Sequence, residues 1–418
     1  MRLAVTGFVS QEGGSVASAN ALLLQQMLKQ RHEIDFFSKP TFVDPRPIVG
    51  VQENFRYVAV VNQWGDQFRR NVGKVPVLRA VARRIDAMGY NRLLVNRIQQ
   101  ECRARCYDLI LWLGDYAHGK IPGVPTVSFA QGPPGTDARS VLERRAEIRE
   151  LAGPVQAWKW ATLARLRLSR AGLPELGHSD HVIVGSQRSR QTLHRKYGID
   201  PAHISALPYP IDLHLFQPAK TERETPSEGA ALRVLWLGRI VPRKRLDLFL
   251  KGAEMAIQQG LDLQISIVGE VGFVRGYERM IAAFPFPERL RWTQRVARDG
   301  IPHLLASHDV LTQPSDEENF GSSVAEAQAC GLPVIVGNTN GNADYLSFRD
   351  IHLSDDQPAT FAAALRKLGA RKTAGRWGTA SESRALAEGK FALKVVADQI
   401  MELLRTVAGR SHASAVEP

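Results

Sequence analysis

Residues 314–327, Pro-Ser-Asp-Glu-Glu-Asn-Phe-Gly-Ser-Ser-Val-Ala-Glu-Ala, are the most informative stretch of this 418-residue chain. The run at 309–312 before them is typical of a buried strand, and the small and apolar residues after Gly321 predict a helix. This order places Glu318 in a loop at the carboxyl end of a strand and Glu326 about two turns into the following helix. Open α/β sheets bind their ligands at that edge.

The two carboxylates and the residues between them predict a site for a sugar nucleotide. Glu318 can accept hydrogen bonds from the hydroxyl groups of a sugar, and Glu326 can do the same for a ribose diol. Amide groups at a helix N-terminus bind phosphate well. The segment counted as donor-binding on this basis contains Asn319, Phe320, Gly321 and Ser322. An isolated pair of carboxylates at this spacing is more often a solvated loop that caps a helix, so the surrounding residues decide.

Those surrounding residues resemble the signature of the family-4 retaining glycosyltransferases of the GT-B fold. The residues in register with that signature are Pro314, Ser315, Glu318, Phe320, Gly321, Glu326, Ala327, Ala329, Gly331, Pro333, Val334 and Ile335. Two further blocks are similar to the family in order and spacing. One runs from Gly238-Arg239 to Lys244 after an apolar run, and the other is the strand end at 267–270. The resemblance covers nearly the whole chain and is looser in the N-terminal half.

The resemblance implies an α/β fold in which two Rossmann-like domains face a central cleft. Residues 1–216 would form the acceptor-binding domain, and residues 217–384 would bind the nucleotide-sugar. A chain of 418 residues is long enough for two domains. The polar stretch 217–230, which contains two prolines, is interpreted as the linker. A helix at about 385–408 would cross back and pack on the first domain.

The resemblance also assigns the catalytic residues. Arg239 and Lys244 would stabilise the negative charge that develops on the leaving diphosphate, while Glu318 holds the sugar. The neighbouring Arg243 and Arg245 are interpreted as surface charges. The chain has no Asp-x-Asp motif at a strand end that would suggest a metal clamp. The expected reaction therefore uses no metal and no cofactor besides the donor substrate.

Glycines at two strand ends and in one loop are the remaining residues that are predicted to bind the donor. Gly238 and Gly269 each follow an apolar run, where the resemblance places the donor. Gly13 and Gly14 form a Gly-Gly loop that in the family lies over the donor phosphates and faces the acceptor. Glycine has no Cβ and lets the backbone approach a ligand. On this basis Gly14 is counted with the donor residues and Gly13 with the acceptor residues.

Gln131 is the main departure from the family pattern, because many members carry histidine at this point. Glutamine donates and accepts hydrogen bonds but does not titrate, so it cannot act as a general base. In the family mechanism the leaving phosphate takes the proton of the acceptor, and that account tolerates glutamine. His118, one loop earlier, is a second acceptor-side candidate, although a histidine in a loop is more often incidental.

The net charge of +12 is compatible with nucleic acid, an anionic membrane or an anionic substrate as partner. The basic residues concentrate in two N-terminal segments, 69–105 and 139–170, and alternate there with apolar and aromatic residues. At least one segment is interpreted as a helix on anionic headgroups, although an ordinary solvated face fits equally well. No nucleic-acid-binding motif accompanies the charge, which counts against that partner.

Cysteine content and hydropathy indicate the compartment. Three cysteines, an odd number, argue against a disulfide framework and for a reducing environment. Cys102 and Cys106 share a helix face, but two idle thiols fit better than a metal pair because no second pair lies nearby. No apolar run reaches the roughly 18 residues that span a bilayer. We therefore expect a cytoplasmic protein, with peripheral attachment to the inner membrane face as the finer expectation.

Three functions fit these observations. The leading one is a retaining transferase that moves a sugar from a nucleotide-diphosphate-sugar to a hydroxyl acceptor, carbohydrate or lipid-linked, in cell-surface polysaccharide or glycolipid synthesis. The second is a soluble transferase that acts on a small metabolite. The third is a non-catalytic GT-B protein that binds nucleotide or serves as a scaffold; Gln131 favours it, whereas the intact charged set counts against it. The identities of the donor and the acceptor, and the oligomeric state, stay open at this point.

Overall fold

A computed structural model of the chain describes residues 1–10, 15–40, 43–72, 79–169, 173–218, 231–375 and 380–414. Within these ranges the strands form two parallel sheets. The first sheet contains β1 (Arg2–Gly7), β2 (Glu33–Ser38), β3 (Phe55–Ala59), β4 (Leu109–Leu113), β5 (Thr126–Phe129), β6 (His181–Val184) and β7 (Ile204–Ala206). The second contains β8 (Leu232–Leu237), β9 (Leu263–Val268), β10 (Leu290–Thr293), β11 (Val310–Gln313), β12 (Val334–Val336) and β13 (Ile351–His352).

Helices alternate with these strands. Those of the first half are α1 (Ser15–Lys29), α2 (Arg46–Val49), α3 (Gln63–Val72), α4 (Arg79–Ala104), α5 (Thr136–Glu143), α6 (Arg145–Ala152), α7 (Pro154–Leu168) and α8 (Gln187–Tyr197). Those of the second half are α9 (Leu246–Gln258), α10 (Tyr277–Ala282), α11 (Ile301–Ala306), α12 (Ser322–Ala329), α13 (Pro358–Thr373), α14 (Ala380–Phe391) and α15 (Leu393–Ser414). No helix in the described ranges combines the length and the apolar character needed to cross a bilayer.

The strand order of each sheet decides where a ligand can bind. The first sheet runs β3-β2-β1-β4-β5-β6-β7 and the second runs β10-β9-β8-β11-β12-β13. Both orders therefore reverse beside the first strand, between β1 and β4 and between β8 and β11. Parallel strands are covered on both faces, which explains why all five residues of β4 are buried. In such sheets the crevice at the carboxyl ends of the two strands at the reversal is the expected ligand site.

Helices α5 to α7, between β5 and β6, pack on the second domain although they belong to the first in sequence. Ala138, Ala157 and Ala164 lie in one buried cluster with Trp236 and Ile240 of the second domain. Small alanine side chains let a helix approach its neighbour closely, so burial of this face holds the two domains together. The sequence did not predict this packing.

The C-terminal helices return to the first domain, as predicted. Helix α15 packs against α1, and Gln30 Nε2 donates a 2.8 Å hydrogen bond to Asp398. The helical structure differs in detail from the single helix expected at 385–408. It begins at Ala380 and is interrupted at Ala392, which forms a bridge with Ile211 of the first domain.

The division into domains at residue 216 stays a prediction. Strand β7 ends at Ala206 and β8 begins at Leu232, on either side of that boundary. Residues 219–230 of the predicted linker lie outside the described residues.

Candidate active site in the interdomain cleft

A cavity of about 420 Å³ lies between the domains, beside the loop that follows β11. Its lining from the first domain is Gln131, Gly132, Pro133, Gly135, Thr136, Asp137, Ala138, Arg167, Leu173 and Pro174. Its lining from the second domain is Arg243, Glu317, Glu318 and Asn319. The lining is therefore rich in charged and amide groups, which suits a polar ligand with hydroxyl and phosphate groups.

The loop between β11 and α12 carries Glu318, as the sequence predicted. Gly321 ends this loop with a left-handed φ of 67°. A Cβ at this position would come within 2.2 Å of Asn342 Oδ1 and 2.5 Å of Gln313 Oε1, so only glycine fits. Helix α12 begins directly afterwards, and Glu326 is its fifth residue, one turn into the helix rather than two.

Glu318 is paired with two cations of the second domain. Its Oε2 accepts from Lys244 Nζ at 2.5 Å and from Arg243 Nη1 at 2.8 Å. The side chain of Glu318 is only 12% exposed, and burial by itself would raise its pKa. The two cations outweigh that effect and hold the pKa of Glu318 at about 2. The carboxylate is therefore ionised at any working pH.

Lys244 is the nearer of the two cations that contact Glu318. Burial lowers its pKa below the usual value for lysine, and the neighbouring Arg243 lowers it further, while Glu318 opposes the shift. Lys244 ends a short 3₁₀ turn, Pro242–Lys244, that precedes α9. This turn directs both cations toward the loop after β11.

Arg245 is buried and Arg243 is largely buried, so their interpretation as surface charges was wrong. Arg243 Nε lies 2.8 Å from Asp137 of the first domain, in addition to its contact with Glu318. The side chain of Arg245 is 4% exposed and pairs with Asp247 and Asp316. The carboxylates that make burial favourable come mainly from distant parts of the chain, so the local sequence around 243–245 did not reveal them.

Arg239 lies at the more open side of the same cluster. Its side chain is 60% exposed, and its Nη2 lies 3.5 Å from Asp137 Oδ2. Gly238 precedes it at the end of β8. Gly269, at the end of β9, sits so close to this strand that a Cβ would lie 1.8 Å from the Gly238 carbonyl oxygen. The close approach of the two strand ends requires glycine at position 269.

Asn319 and Phe320 connect the loop to the first domain. Asn319 Oδ1 accepts from the backbone amide of Gly185 at 2.9 Å, and its Nδ2 donates to Tyr209 Oη at 3.3 Å. The Phe320 ring is buried against the rings of Tyr209 and Phe391. These contacts give both residues a role in fixing the loop, while their predicted contact with a donor stays a prediction.

Ser322 is the first residue of α12, and Glu326 is buried one turn further. The first amides of a helix have no intrahelical partner, which leaves them available to an anion. Glu326 Oε1 lies 3.2 Å from Arg298 Nη1, so the two side chains form an ion pair. Burial raises the pKa of Glu326 to about 7, although Arg298 opposes the shift.

The residues that are predicted to contact the acceptor lie in different parts of the structure. Gln131 lines the cavity with Glu318. His118 instead packs edge-on against Trp112, with 5.0 Å between ring centroids, and its Nε2 lies 3.4 Å from Asp115. It is not among the side chains that line the cavity. Gly13 and Gly14 lie outside the described residues.

Ion pairs between the domains were missed by sequence reasoning. Arg139 Nη2 lies 2.8 Å from Glu317, and Arg144 Nη2 lies 2.9 Å from Asp316. Part of the basic segment 139–170 therefore neutralises the acidic loop at 316–318 rather than facing solvent. A basic face on α5 and α6 and an acidic loop are both visible in the sequence, but nothing in either pattern indicates that they meet.

The described residues contain no group of three or more His, Cys, Asp or Glu side chains that could hold a metal ion. Cys102 is partly buried and Cys106 is exposed, and neither is in a disulfide.

Known proteins resemble this chain in sequence and in fold. Residues 219–384 match the family described as Glycosyl transferases group 1. The chain is 29% identical over 177 residues to D-inositol 3-phosphate glycosyltransferase of Rhodococcus erythropolis (strain PR4 / NBRC 100887), a match that covers 40% of each chain. It is 27% identical over 215 residues to the GDP-mannose-dependent alpha-(1-6)-phosphatidylinositol monomannoside mannosyltransferase of Mycolicibacterium smegmatis (strain ATCC 700084 / mc(2)155), covering 48% of this chain and 55% of that protein.

The chain thus spans about half the length of the curated relatives it matches. The similarity in fold is wider. The crystal structure of Anabaena Alr3699/HepE in complex with UDP superimposes with a TM-score of 0.63 at 17% identity, over 97% of this chain and 100% of that one. The chain therefore has the GT-B fold, and its residues 219–384 are similar to the group 1 glycosyl transferases.

Proposed function

We propose that the protein is a family-4 glycosyltransferase that moves a sugar from a nucleotide-diphosphate-sugar to a hydroxyl acceptor, with retention of the anomeric configuration and without a metal ion. The observation that carries this proposal is the largely buried group of Glu318, Lys244 and Arg243, of which Glu318 and Arg243 line the interdomain cavity. The curated relatives are named as glycosyltransferases, and a protein of similar fold was solved with UDP.

Two cations, Lys244 and Arg239, provide the main electrostatic stabilisation in this mechanism. As the bond between C1 of the sugar and the diphosphate breaks, negative charge grows on the leaving phosphate. Lys244 and Arg239 stabilise that charge, and Lys244 needs little reorganisation because Glu318 already holds its ammonium group. A buried position strengthens the effect, since the local dielectric constant is lower than that of water.

Glu318 holds the donor sugar and does not transfer a proton. Both cations contact its Oε2, so Oε1 can accept a hydrogen bond from a sugar hydroxyl. A carboxylate with a pKa of about 2 carries no proton to donate near neutral pH. Glu326, which pairs with Arg298, would also accept hydrogen bonds from the ribose hydroxyls of the nucleotide.

The acceptor hydroxyl attacks C1 on the face from which the diphosphate leaves. The new C–O bond forms as the old one breaks, and the hydroxyl proton passes to an oxygen of the leaving phosphate. Gln131, which lines the cavity, would orient the hydroxyl by hydrogen bonding. Closure of the two domains over the cleft would exclude water, which otherwise competes as the acceptor.

We also propose that the protein works at the cytoplasmic face of an anionic membrane, on a lipid-linked acceptor. Helix α7 supports this, because Val155, Trp158 and Leu166 are exposed apolar side chains on it. Lys159 is exposed on the same helix, which gives α7 the character of an interfacial helix. The end of α7 also reaches the cleft, since Arg167 lines the cavity.

A soluble transferase that acts on a small phosphorylated polyol is the second candidate. One relative is named as an inositol 3-phosphate glycosyltransferase, and the Arg167 guanidinium in the cavity lining could bind such a phosphate. The two candidates share the donor chemistry and differ in whether the enzyme needs a membrane.

Nucleotide binding tests the proposed donor site. In a thermal-unfolding panel with UDP, GDP, ADP, TDP and CMP, we expect one nucleotide to stabilise the protein by a few degrees at about 100 times its dissociation constant. The nucleotide that responds identifies the sugar donors for a transfer assay. A folded sample that responds to none of them would overturn the enzyme proposal and favour a scaffold.

Vesicle binding separates the two candidates for the acceptor. We expect the protein to sediment with vesicles of phosphatidylglycerol and phosphatidylcholine, less so at high salt, and about tenfold less when Trp158 and Leu166 are both replaced by serine. Phe348, an exposed aromatic residue of the second domain, provides the matched control as Phe348→Ser. Equal sedimentation of all three proteins, or none, would contradict the role of α7.

A further inference from the structure

Asp137 of the first domain contacts two arginines of the second. It lies in the first turn of α5, and its Oδ1 is 2.8 Å from Arg243 Nε. Its Oδ2 is 3.5 Å from Arg239 Nη2. One carboxylate thus reaches across the cleft to two guanidinium groups of the loop to which the donor diphosphate is assigned. Nothing in the sequence pattern or the family resemblance pointed to this residue.

The charge of Asp137 is opposite to that of Arg139 and Arg144, which form ion pairs between the segment of α5 and α6 and the loop after β11. Arg139 and Arg144 bring positive charge to the acidic loop of the second domain. Asp137 brings negative charge to a cationic loop and also lines the cavity with Glu318. A carboxylate there occupies the same electrostatic environment that a phosphate group would prefer.

The charges at the site show why the contact matters. Arg239, Arg243 and Lys244 contribute three positive charges, which face Glu318 and Asp137. With both carboxylates the group keeps one positive charge. A nucleotide-diphosphate-sugar carries two negative charges, which is more than this group neutralises while Asp137 pairs with Arg239.

We propose that Asp137 is an internal counter-ion that competes with the donor diphosphate for Arg239 and keeps Arg243 on Glu318. This proposal rests on the proposed function. Arg239 is the contact that exchanges, because it is 60% exposed and held at 3.5 Å. Arg243 is 17% exposed and held at 2.8 Å, so it stays between Asp137 and Glu318 as a fixed support.

Competition between Asp137 and the diphosphate for Arg239 weakens binding of the nucleoside diphosphate product most strongly. Loss of the sugar leaves a nucleoside diphosphate with more negative charge than the donor, and the cations would hold it more tightly. Asp137 offsets that gain by offering Arg239 an alternative partner. It is therefore a positioning residue that keeps the nucleotide from binding too tightly after transfer.

Calorimetric titration of wild type and Asp137→Asn with UDP, GDP and inorganic pyrophosphate tests this assignment. We expect the variant to bind pyrophosphate and the preferred nucleotide about three- to tenfold more tightly than wild type. Asp137→Glu, which keeps the charge, should restore weaker binding. Asp262→Asn removes a carboxylate that pairs with Arg289 away from the cleft, and it should leave the dissociation constants unchanged.

The outcomes separate this proposal from the proposed function. Thermal unfolding of each variant checks that it is folded. Equal or weaker binding by Asp137→Asn, with wild type still binding nucleotide, would overturn the role of Asp137 alone, since a merely structural residue weakens binding when it is lost. If no nucleotide binds wild type, the proposed function fails, but the pyrophosphate titration still tests the role of Asp137. Tighter binding of pyrophosphate by Asp137→Asn than by wild type supports the counter-ion role, and equal binding or no binding rejects it.

Discussion

Replacement of Lys244 by alanine is expected to lower kcat for sugar transfer by about a thousandfold. Lys244 is the largely buried cation that pairs with Glu318 at 2.5 Å, and its ammonium group is assigned to the leaving diphosphate. Its loss removes charge stabilisation at the step where the bond to C1 breaks. The KM for the donor should change far less than kcat, because the interaction strengthens in the transition state. Release of nucleoside diphosphate from the sugar donor measures both constants.

The control for this variant is Lys251→Ala, which removes an exposed lysine from α9 in the same domain. It should keep the activity of wild type. Lys244→Ala leaves Glu318 with Arg243 as its remaining cation, so a loss of about 1–3 kcal/mol in the free energy of unfolding is also expected. Assays are therefore made well below the midpoint of thermal unfolding. A folded Lys244→Ala protein with a kcat within threefold of wild type would contradict the assigned role.

Replacement of Glu326 by glutamine is expected to stabilise the protein at pH 8 and to weaken nucleotide binding. Burial raises the pKa of Glu326 to about 7, from the usual 4.5 of a glutamate side chain. The folded state therefore holds a proton that the unfolded state releases, so the stabilising contribution is complete below about pH 4.5 and is lost as the pH rises through about 7. Glutamine resembles the protonated form at every pH. At pH 8 the variant should be about 1–3 kcal/mol more stable than wild type, and near pH 4.5 the two should be equal.

The same variant should bind the preferred nucleotide about tenfold less tightly, because a carboxylate accepts hydrogen bonds from a ribose diol more strongly than an amide does. Higher stability together with lower affinity is the signature of a group kept for binding at a cost in stability. Unfolding by denaturant at several pH values and calorimetric titration measure the two effects. Glu402→Gln, at an exposed position of α15, is the matched control. A Glu326→Gln protein that is no more stable than wild type at pH 8, or that binds nucleotide equally well, would contradict this assignment.

Much of the site could be predicted because its parts are encoded locally. The apolar run at 309–312 indicated β11, and glycine followed by small residues indicated the loop and α12. The positions of Glu318 and Glu326 followed from that pattern, although the depth of Glu326 in the helix was overestimated by a turn. Together with the resemblance, these local signals were sufficient for the fold and for the return of the C-terminal helices.

The partners of these residues were decided only by the tertiary structure. The sequence indicated Lys244 and Glu318 separately, 74 positions apart, and did not show that they form one buried pair. Arg243 was assigned to the surface because its second carboxylate, Asp137, lies 106 positions away on another domain. Backbone conformation follows from neighbours in the chain, whereas an ion pair forms only after folding has brought distant segments together. The sequence alone therefore determined the fold and the chemical groups of this protein, and the packing of α5 and α6 on the second domain decided which charges meet in the cleft.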